Sequence, residues 1–120
     1  MSDDYHTKST EVWKGKDPEN RVVRLYEPER NHIIFEHDIM GQNFTAIYDT
    51  IEAPQSIYKS GESDDREVYF KKSKQASYGA RFYTKAVVQF NREGTEGYIV
   101  TAFPHSKEGG NIGERTYPKN

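Results

Sequence analysis

Two histidines, His32 and His37, stand five residues apart in the first half of the chain, and Asp38 follows the second. Histidine titrates near neutral pH, so the pair suits proton transfer at a ribose hydroxyl or a leaving oxygen. The same residue types also bind metals. A straight helix, however, brings residues three or four apart onto one face, so this spacing does not direct both rings at one ion. The pattern therefore favours acid–base chemistry without a metal; the structural alternative is a helix cap and a surface histidine.

Arg66 and Thr101 lie in segments that predict β-strands. An arginine can hold a phosphate through two hydrogen bonds and stabilise the charge that develops on it. A threonine hydroxyl can donate to the same oxygen. The structural alternatives are an ion pair of Arg66 with Asp64, Asp65 or Glu67, and ordinary β-propensity for Thr101.

The charge of the chain is unevenly distributed. The 120 residues include 17 Lys+Arg and 19 Asp+Glu, a net charge of -2, yet no acidic residue occurs between Val68 and Arg92, where lysines, arginines and aromatic residues alternate. Such a segment suits single-stranded RNA, because cations pair with phosphates and rings stack on bases. The alternative is a solvated strand face with its rings in the core. The predicted RNA contacts are Tyr69, Lys71, Lys72, Lys74 and Arg81.

The composition excludes several classes of protein. The chain has no Cys, which excludes a disulfide scaffold, an iron–sulfur site and a thiolate zinc site. It has neither a long apolar run nor an apolar segment after a basic N-terminus, so we expect no membrane span, no signal peptide and a cytoplasmic location. The motifs of phosphate loops, dinucleotide-binding folds, zinc proteases and serine hydrolases are absent, and we expect no cofactor.

The elements that must position these residues begin with helices. Residues 1–20 form a polar N-terminal segment, in which a short helix over 9–14, anchored by Trp13, is the one candidate element. A strand is predicted at 21–26 and a two-turn helix at 31–37. A second, amphipathic helix is predicted from the helical spacing of Phe44, Ile47, Tyr48 and Ile51, and Pro54 ends it.

Strands dominate the second half of the chain. They are predicted at 56–59, 66–72, 80–91 and 98–103. Helices followed by a meander indicate an α+β fold, with the N-terminal helices packed on a roughly four-stranded antiparallel sheet. The length suits one domain, which we place at residues 21–106. A flexible tail is expected over 107–120, with a last turn or edge strand at 115–117 as the alternative.

The order of these segments resembles the phage-associated and polymorphic-toxin branch of the barnase–EndoU–colicin–RelE superfamily. The resemblance covers about residues 21–103, and two positions differ from the family's pattern: Arg30 stands where a tryptophan is typical, and Asp38-Ile39 where Pro-Glu is typical. The matching segments are Asn-His-Ile at 31–33, the second histidine, and the stretches TIEAP, SIYKS, REVYF, KAVVQF and GYIVTAF.

The resemblance implies a small metal-independent endoribonuclease, toxin-like or phage-associated, that cleaves RNA through the 2′-hydroxyl. The family's functional positions match His32, His37, Arg66, Lys85 and Thr101. One histidine would be the base or acid, Arg66 and Lys85 would clamp the phosphate, and Thr101 would donate a hydrogen bond. The expected partners are RNA and a cognate inhibitor or immunity protein, but no membrane. The alternative is a catalytically inactive RNA-binding or protein-interaction module on the same fold.

Overall fold

The structure is a computed structural model, and it describes residues 9–119. Residues 1–8 of the predicted polar segment and Asn120 of the predicted tail lie outside the described residues. Two short 3-10 helices, Asp38–Gln42 and Gly79–Arg81, accompany the main elements. The main elements are β1 Glu11–Lys16, β2 Val22–Tyr26, α1 Glu27–Glu36, α2 Phe44–Glu52, β3 Ser56–Ser60, β4 Arg66–Lys71, β5 Tyr83–Phe90, β6 Glu96–His105 and β7 Ile112–Tyr117.

The strands form one sheet in the order β1-β2-β6-β5-β4-β3-β7. The neighbouring strands are antiparallel except for β2 and β6, which run parallel where Val22 to Arg24 meet Glu96 to Tyr98. The predicted α+β class is confirmed. The predicted detail is wrong, because the sheet is seven-stranded and mixed, and two strands precede the helices.

The two strands beyond the five predicted ones, β1 and β7, lie at the two edges of the sheet. Residues 9–14, where a short helix was the candidate, instead contribute to β1, which pairs with β2. The ring of Trp13 stacks on Tyr48 of α2, with 4.4 Å between the ring centroids. At the other edge, the segment predicted as a flexible tail turns back and forms β7 against β3. Gly110 and Asn111 make this turn with positive φ angles of 86° and 58°.

The helices cover one face of the sheet, termed the covered face, and the opposite side is the open face. Side chains alternate between the two faces along each strand. On β4, Tyr69 therefore points into the covered face, whereas Val68 and Phe70 point to the open face. The core of the covered face consists largely of fully buried apolar residues from strands and helices, including Val23, Leu25, Ile33, Ile47, Ile51, Ile57, Val88 and Ile99.

A buried ionic network closes one end of the covered face. The guanidinium of Arg21 donates twice to the carboxylate of Glu67, at 2.9 and 3.0 Å, and once to Asp17 at 3.0 Å. The Tyr69 hydroxyl donates to Asp17 at 2.6 Å. Burial alone would lower the pKa of Arg21, but its carboxylate partners raise it above the ordinary value. The network thus holds β4 in place, and the residues of β4 that alternate with Glu67 and Tyr69 point to the open face.

Candidate functional site

A row of four side chains crosses the open face. Ser56, Phe70, Lys85 and Phe103 are direct partners across β3, β4, β5 and β6. Neighbouring strands lie about 4.8 Å apart, so this cross-strand row is about 14 Å long. Phe70 is fully buried in its centre. The row therefore brings a hydroxyl, two rings and a cation together without any contribution from the helices.

Lys85 is the buried cation of the row, with only 6% of its surface exposed. Its ammonium group donates to the carbonyl oxygens of Gly109 and Gly110, both at 2.9 Å. It also lies 5.8 Å from the ring centre of Phe70 and 5.6 Å from that of Phe103. Burial lowers the pKa of Lys85 below its ordinary value. The predicted phosphate-clamping lysine is thus in the site, but its hydrogens are directed at backbone carbonyls.

Two histidines contact the ring of Phe103. The ring of His37, directly after α1, stacks on it with 4.9 Å between centroids, and the ring of His105 meets it edge-on at 6.2 Å. A methyl group added to Gly110 would lie 2.6 Å from Lys85 Nζ and 3.3 Å from His105 Nε2, so these two nitrogens are neighbours. His37 was predicted for the site. His105 was missed, although it follows Phe103 by two residues and therefore shares its face.

The hydrogen bonding of His105 defines its tautomer. Its Nδ1 lies 2.7 Å from the carbonyl oxygen of Lys107. A carbonyl oxygen only accepts hydrogen bonds, so Nδ1 carries the hydrogen and Nε2 of the neutral ring can accept a proton. His105 thus presents a basic nitrogen beside Lys85.

Thr101 and Arg66 lie on the same face at increasing distance from the row. Thr101 is two residues from Phe103 on β6 and pairs with Val87. Arg66 is four residues from Phe70, about 13 Å along the strand, and its Nε donates to Gln89 at 2.9 Å. The structure therefore places Thr101 beside the row and Arg66 towards the far end of the open face. The backbone therefore does not bring Arg66 and Lys85 together as the predicted phosphate clamp.

The remaining predicted histidine, His32, is exposed on α1. It precedes His37 by five residues, which corresponds to about 7.5 Å along a helix axis. Helix α1 thus carries His32, and the residue directly after it, His37, makes the ring contact with the cross-strand row.

Three hydroxyl groups at the other end of the row converge on one carboxylate. Ser56 Oγ and the Tyr58 hydroxyl donate to Glu108 Oε1 at 2.7 and 2.8 Å, and the Tyr83 hydroxyl also hydrogen-bonds to this carboxylate. Partial burial would raise the pKa of Glu108, but the hydroxyl groups lower it below its ordinary value. We term Ser56, Tyr58 and Tyr83 the hydroxyl pocket. Sequence reasoning missed it, because its members come from β3 and β5, which are not neighbours in the sheet.

The predicted RNA-binding residues are divided between the two faces. Tyr69 is fully buried on the covered face, so its ring cannot stack on a base, which corrects the prediction for this residue. Lys71 forms an ion pair with Asp49 of α2 at 2.9 Å. Lys72 is exposed beside the hydroxyl pocket, 5.0 Å from the ring centre of Tyr83. The two other predicted contacts, Lys74 and Arg81, are exposed in the connection between β4 and β5.

Comparisons of the chain with protein-family models, with curated proteins and with solved structures give no match. Within residues 9–119, no three side chains of His, Cys, Asp or Glu are grouped so as to hold a metal ion. No helix in that range is long and apolar enough to cross a membrane.

Proposed function

We propose that this protein is a small endoribonuclease that cleaves RNA through the ribose 2′-hydroxyl, without a metal, on the open face of its sheet. The observation that carries the proposal is that His37 and His105 both contact the ring of Phe103, with Lys85 adjoining His105. RNA cleavage requires a base for the 2′-hydroxyl, an acid for the leaving 5′-oxygen and positive charge at the phosphate. These three groups meet at the cross-strand row.

The roles follow from the hydrogen bonds. His105 is the base, because its Nδ1–H is bound to a carbonyl and its Nε2 can accept the 2′-hydroxyl proton. The 2′-oxygen then attacks phosphorus, the bond to the 5′-oxygen breaks, and that oxygen takes a proton from His37. The products are a 2′,3′-cyclic phosphate and a 5′-hydroxyl. Lys85 supplies positive charge, and the Thr101 hydroxyl donates to a phosphate oxygen.

The resemblance to the barnase–EndoU–colicin–RelE superfamily supports the same chemistry. It assigns His37, Lys85 and Thr101 to the site, and these three lie on or beside the cross-strand row. Arg66 and His32, which it also assigns, belong to the same proposal as flanking groups: Arg66 on the open face for a neighbouring phosphate, His32 on α1 as a second acid or base. A cognate inhibitor would act by covering this face.

One observation favours a second candidate, an RNA-binding module without catalysis. Lys85 is almost completely buried and donates to two carbonyl oxygens, so a phosphate would have to displace them before this cation could act. Such a module would still bind RNA, and the binding would weaken steeply with salt because phosphate contacts release counterions. Cleavage separates the two candidates.

The test is incubation of the purified protein with total RNA in EDTA, followed by a denaturing gel. We expect discrete fragments from the wild type, and a loss of about 100-fold or more in His37→Asn and His105→Asn, since each removes a general acid or base. Lys14→Ala, an exposed cation on β1, is the control and should cleave like the wild type. Cleavage that persists in both histidine variants would contradict the proposal. RNA binding without cleavage would favour the second candidate.

A further inference from the structure

The connection from β6 to β7 lies across the open face. This connection, residues 106–111, is termed the strap. Its contacts with the sheet are polar: Glu108 reaches the hydroxyl pocket, and the carbonyl oxygens of Gly109 and Gly110 reach Lys85. The strap therefore uses hydrogen-bonding groups of the row that would otherwise face a ligand.

The side chains of Tyr58, Tyr83 and Lys85 are grouped around the ring of Phe70. The rings of Tyr58 and Tyr83 meet Phe70 edge-on at 5.8 and 5.9 Å, and the Lys85 ammonium lies 5.8 Å from the same ring centre. Phe70 is fully buried, so the three donors, the Tyr58 and Tyr83 hydroxyls and the Lys85 ammonium, belong to side chains grouped around one apolar ring. Glu108 and the two glycine carbonyls accept the hydrogen bonds of these donors.

This set of donors has the chemistry of a phosphate site. Hydroxyl donors and an ammonium group are typical ligands of phosphate oxygens. A carboxylate presents the same negative charge and the same acceptor oxygens as a non-bridging pair on phosphate. The positive charge of Arg115 also acts on Glu108 and would act on any anion in its place. The site is built for an anion, and in this structure the anion belongs to the chain itself.

We propose that Ser56, Tyr58, Tyr83 and Lys85 form a phosphate subsite of the RNA-binding face, and that Glu108 occupies it as an internal anion. The inference rests on the proposed function for the identity of the ligand, a phosphodiester of RNA. In the absence of RNA, the strap keeps the subsite closed. A bound phosphate replaces the Glu108 carboxylate on the hydroxyl groups, and residues 108–110 move away from the row at the turn made by Gly110 and Asn111, while the Lys107 carbonyl keeps its hydrogen bond to His105.

The test measures binding rather than cleavage. The probes are inorganic phosphate and a short single-stranded deoxyoligonucleotide, which has phosphodiesters but no 2′-hydroxyl. Glu108→Ala and Glu108→Gln are compared with the wild type by titration calorimetry and fluorescence anisotropy. We expect Glu108→Ala to bind both probes about tenfold more tightly or better. Without the Glu108 carboxylate, the hydroxyl groups that it occupies are free to donate to a phosphate. Glu114→Gln removes one exposed carboxylate on the neighbouring β7 and should leave both affinities within about twofold of wild type.

A third variant tests the pocket itself. Tyr58→Phe in the Glu108→Ala background removes one donor and should reverse most of the gain. Unchanged affinity in Glu108→Ala and Glu108→Gln, with circular dichroism showing both to be folded, would overturn the inference. An equal gain in Glu114→Gln would also overturn it, because the effect would then be one of net charge.

The outcome is separable from that of the proposed function. If RNA stays intact but Glu108→Ala gains affinity for phosphate, the subsite stands and the nuclease proposal fails. If the wild type cleaves RNA and the Glu108 variants bind phosphate unchanged, the nuclease proposal stands and the subsite is wrong.

Discussion

Replacing Arg21 with alanine should destabilise the fold by about 3–5 kcal/mol, the usual cost of removing one partner from a buried ion pair. The side chain of Arg21 is 12% exposed, and those of its partners Glu67 and Asp17 are 9% and 0% exposed. Without the guanidinium, two carboxylates remain in the covered face with little access to water. The loss of unfolding free energy therefore includes the cost of leaving both carboxylates buried without a cation, in addition to the lost hydrogen bonds.

Arg24 offers a matched control in the same part of the chain. It also binds two carboxylates, those of Glu11 and Glu96, but their side chains are 42% and 53% exposed. Exposed pairs of this kind contribute about 0.2–1 kcal/mol each. Arg24→Ala should therefore cost no more than about 2 kcal/mol, and less at high salt.

Urea denaturation of the wild type and both variants, followed by circular dichroism, measures the two costs under identical conditions. The variants should differ by a factor of about 1.5 or more in their loss of unfolding free energy. Equal losses for Arg21→Ala and Arg24→Ala would refute the reasoning, because burial would then make no difference to the strength of these ion pairs.

Three further perturbations probe the packing and the strap. Gly97→Ala should cost about 1–3 kcal/mol, because the added methyl would lie 2.7 Å from the carbonyl oxygen of Gln89; Gly41→Ala, with no atom closer than 4.0 Å, is the control, and urea denaturation measures both. Ile51→Ala should lower the unfolding free energy by about 2–5 kcal/mol by leaving a cavity in the core. The folded-state pKa of Glu108 is lowered, so its stabilisation is present above the ordinary carboxyl pKa and lost as pH falls through the folded value. The stability difference between wild type and Glu108→Gln, measured from about pH 7 to pH 2, should shrink on acidification and not grow.

Much of the fold could be predicted because it is coded locally. The helical spacing of apolar residues located α2 at Phe44–Glu52, and alternation located β3 to β6 to within a few residues. Strand β1 could not be found this way, and β7 was found only in part, as the alternative of an edge strand at 115–117. Strand β1 depends on β2 and on the stacking of Trp13 against a helix later in the chain. Strand β7 depends on pairing with β3, more than fifty residues earlier.

The candidate site likewise contains some residues that local sequence patterns predict and others that they do not. Lys85 and Thr101 fall on one face by simple alternation, and the same rule would have added His105 had β6 been extended by two residues. The hydroxyl pocket could not be predicted, because Ser56 and Tyr83 meet only through the register of three strands. Tyr69 was assigned to RNA because its neighbours are basic. The ion network that draws its hydroxyl into the covered face is a tertiary feature.

The most direct test of the central claim uses a short synthetic RNA in which one ribose is replaced by 2′-deoxyribose at a site that the protein cleaves in the unmodified strand. We expect cleavage of the unmodified RNA in EDTA, a 2′,3′-cyclic phosphate on the released fragment by mass spectrometry, and no cleavage at the deoxyribose. Cleavage at the deoxyribose, or an unmodified strand that remains intact, would contradict the proposed function.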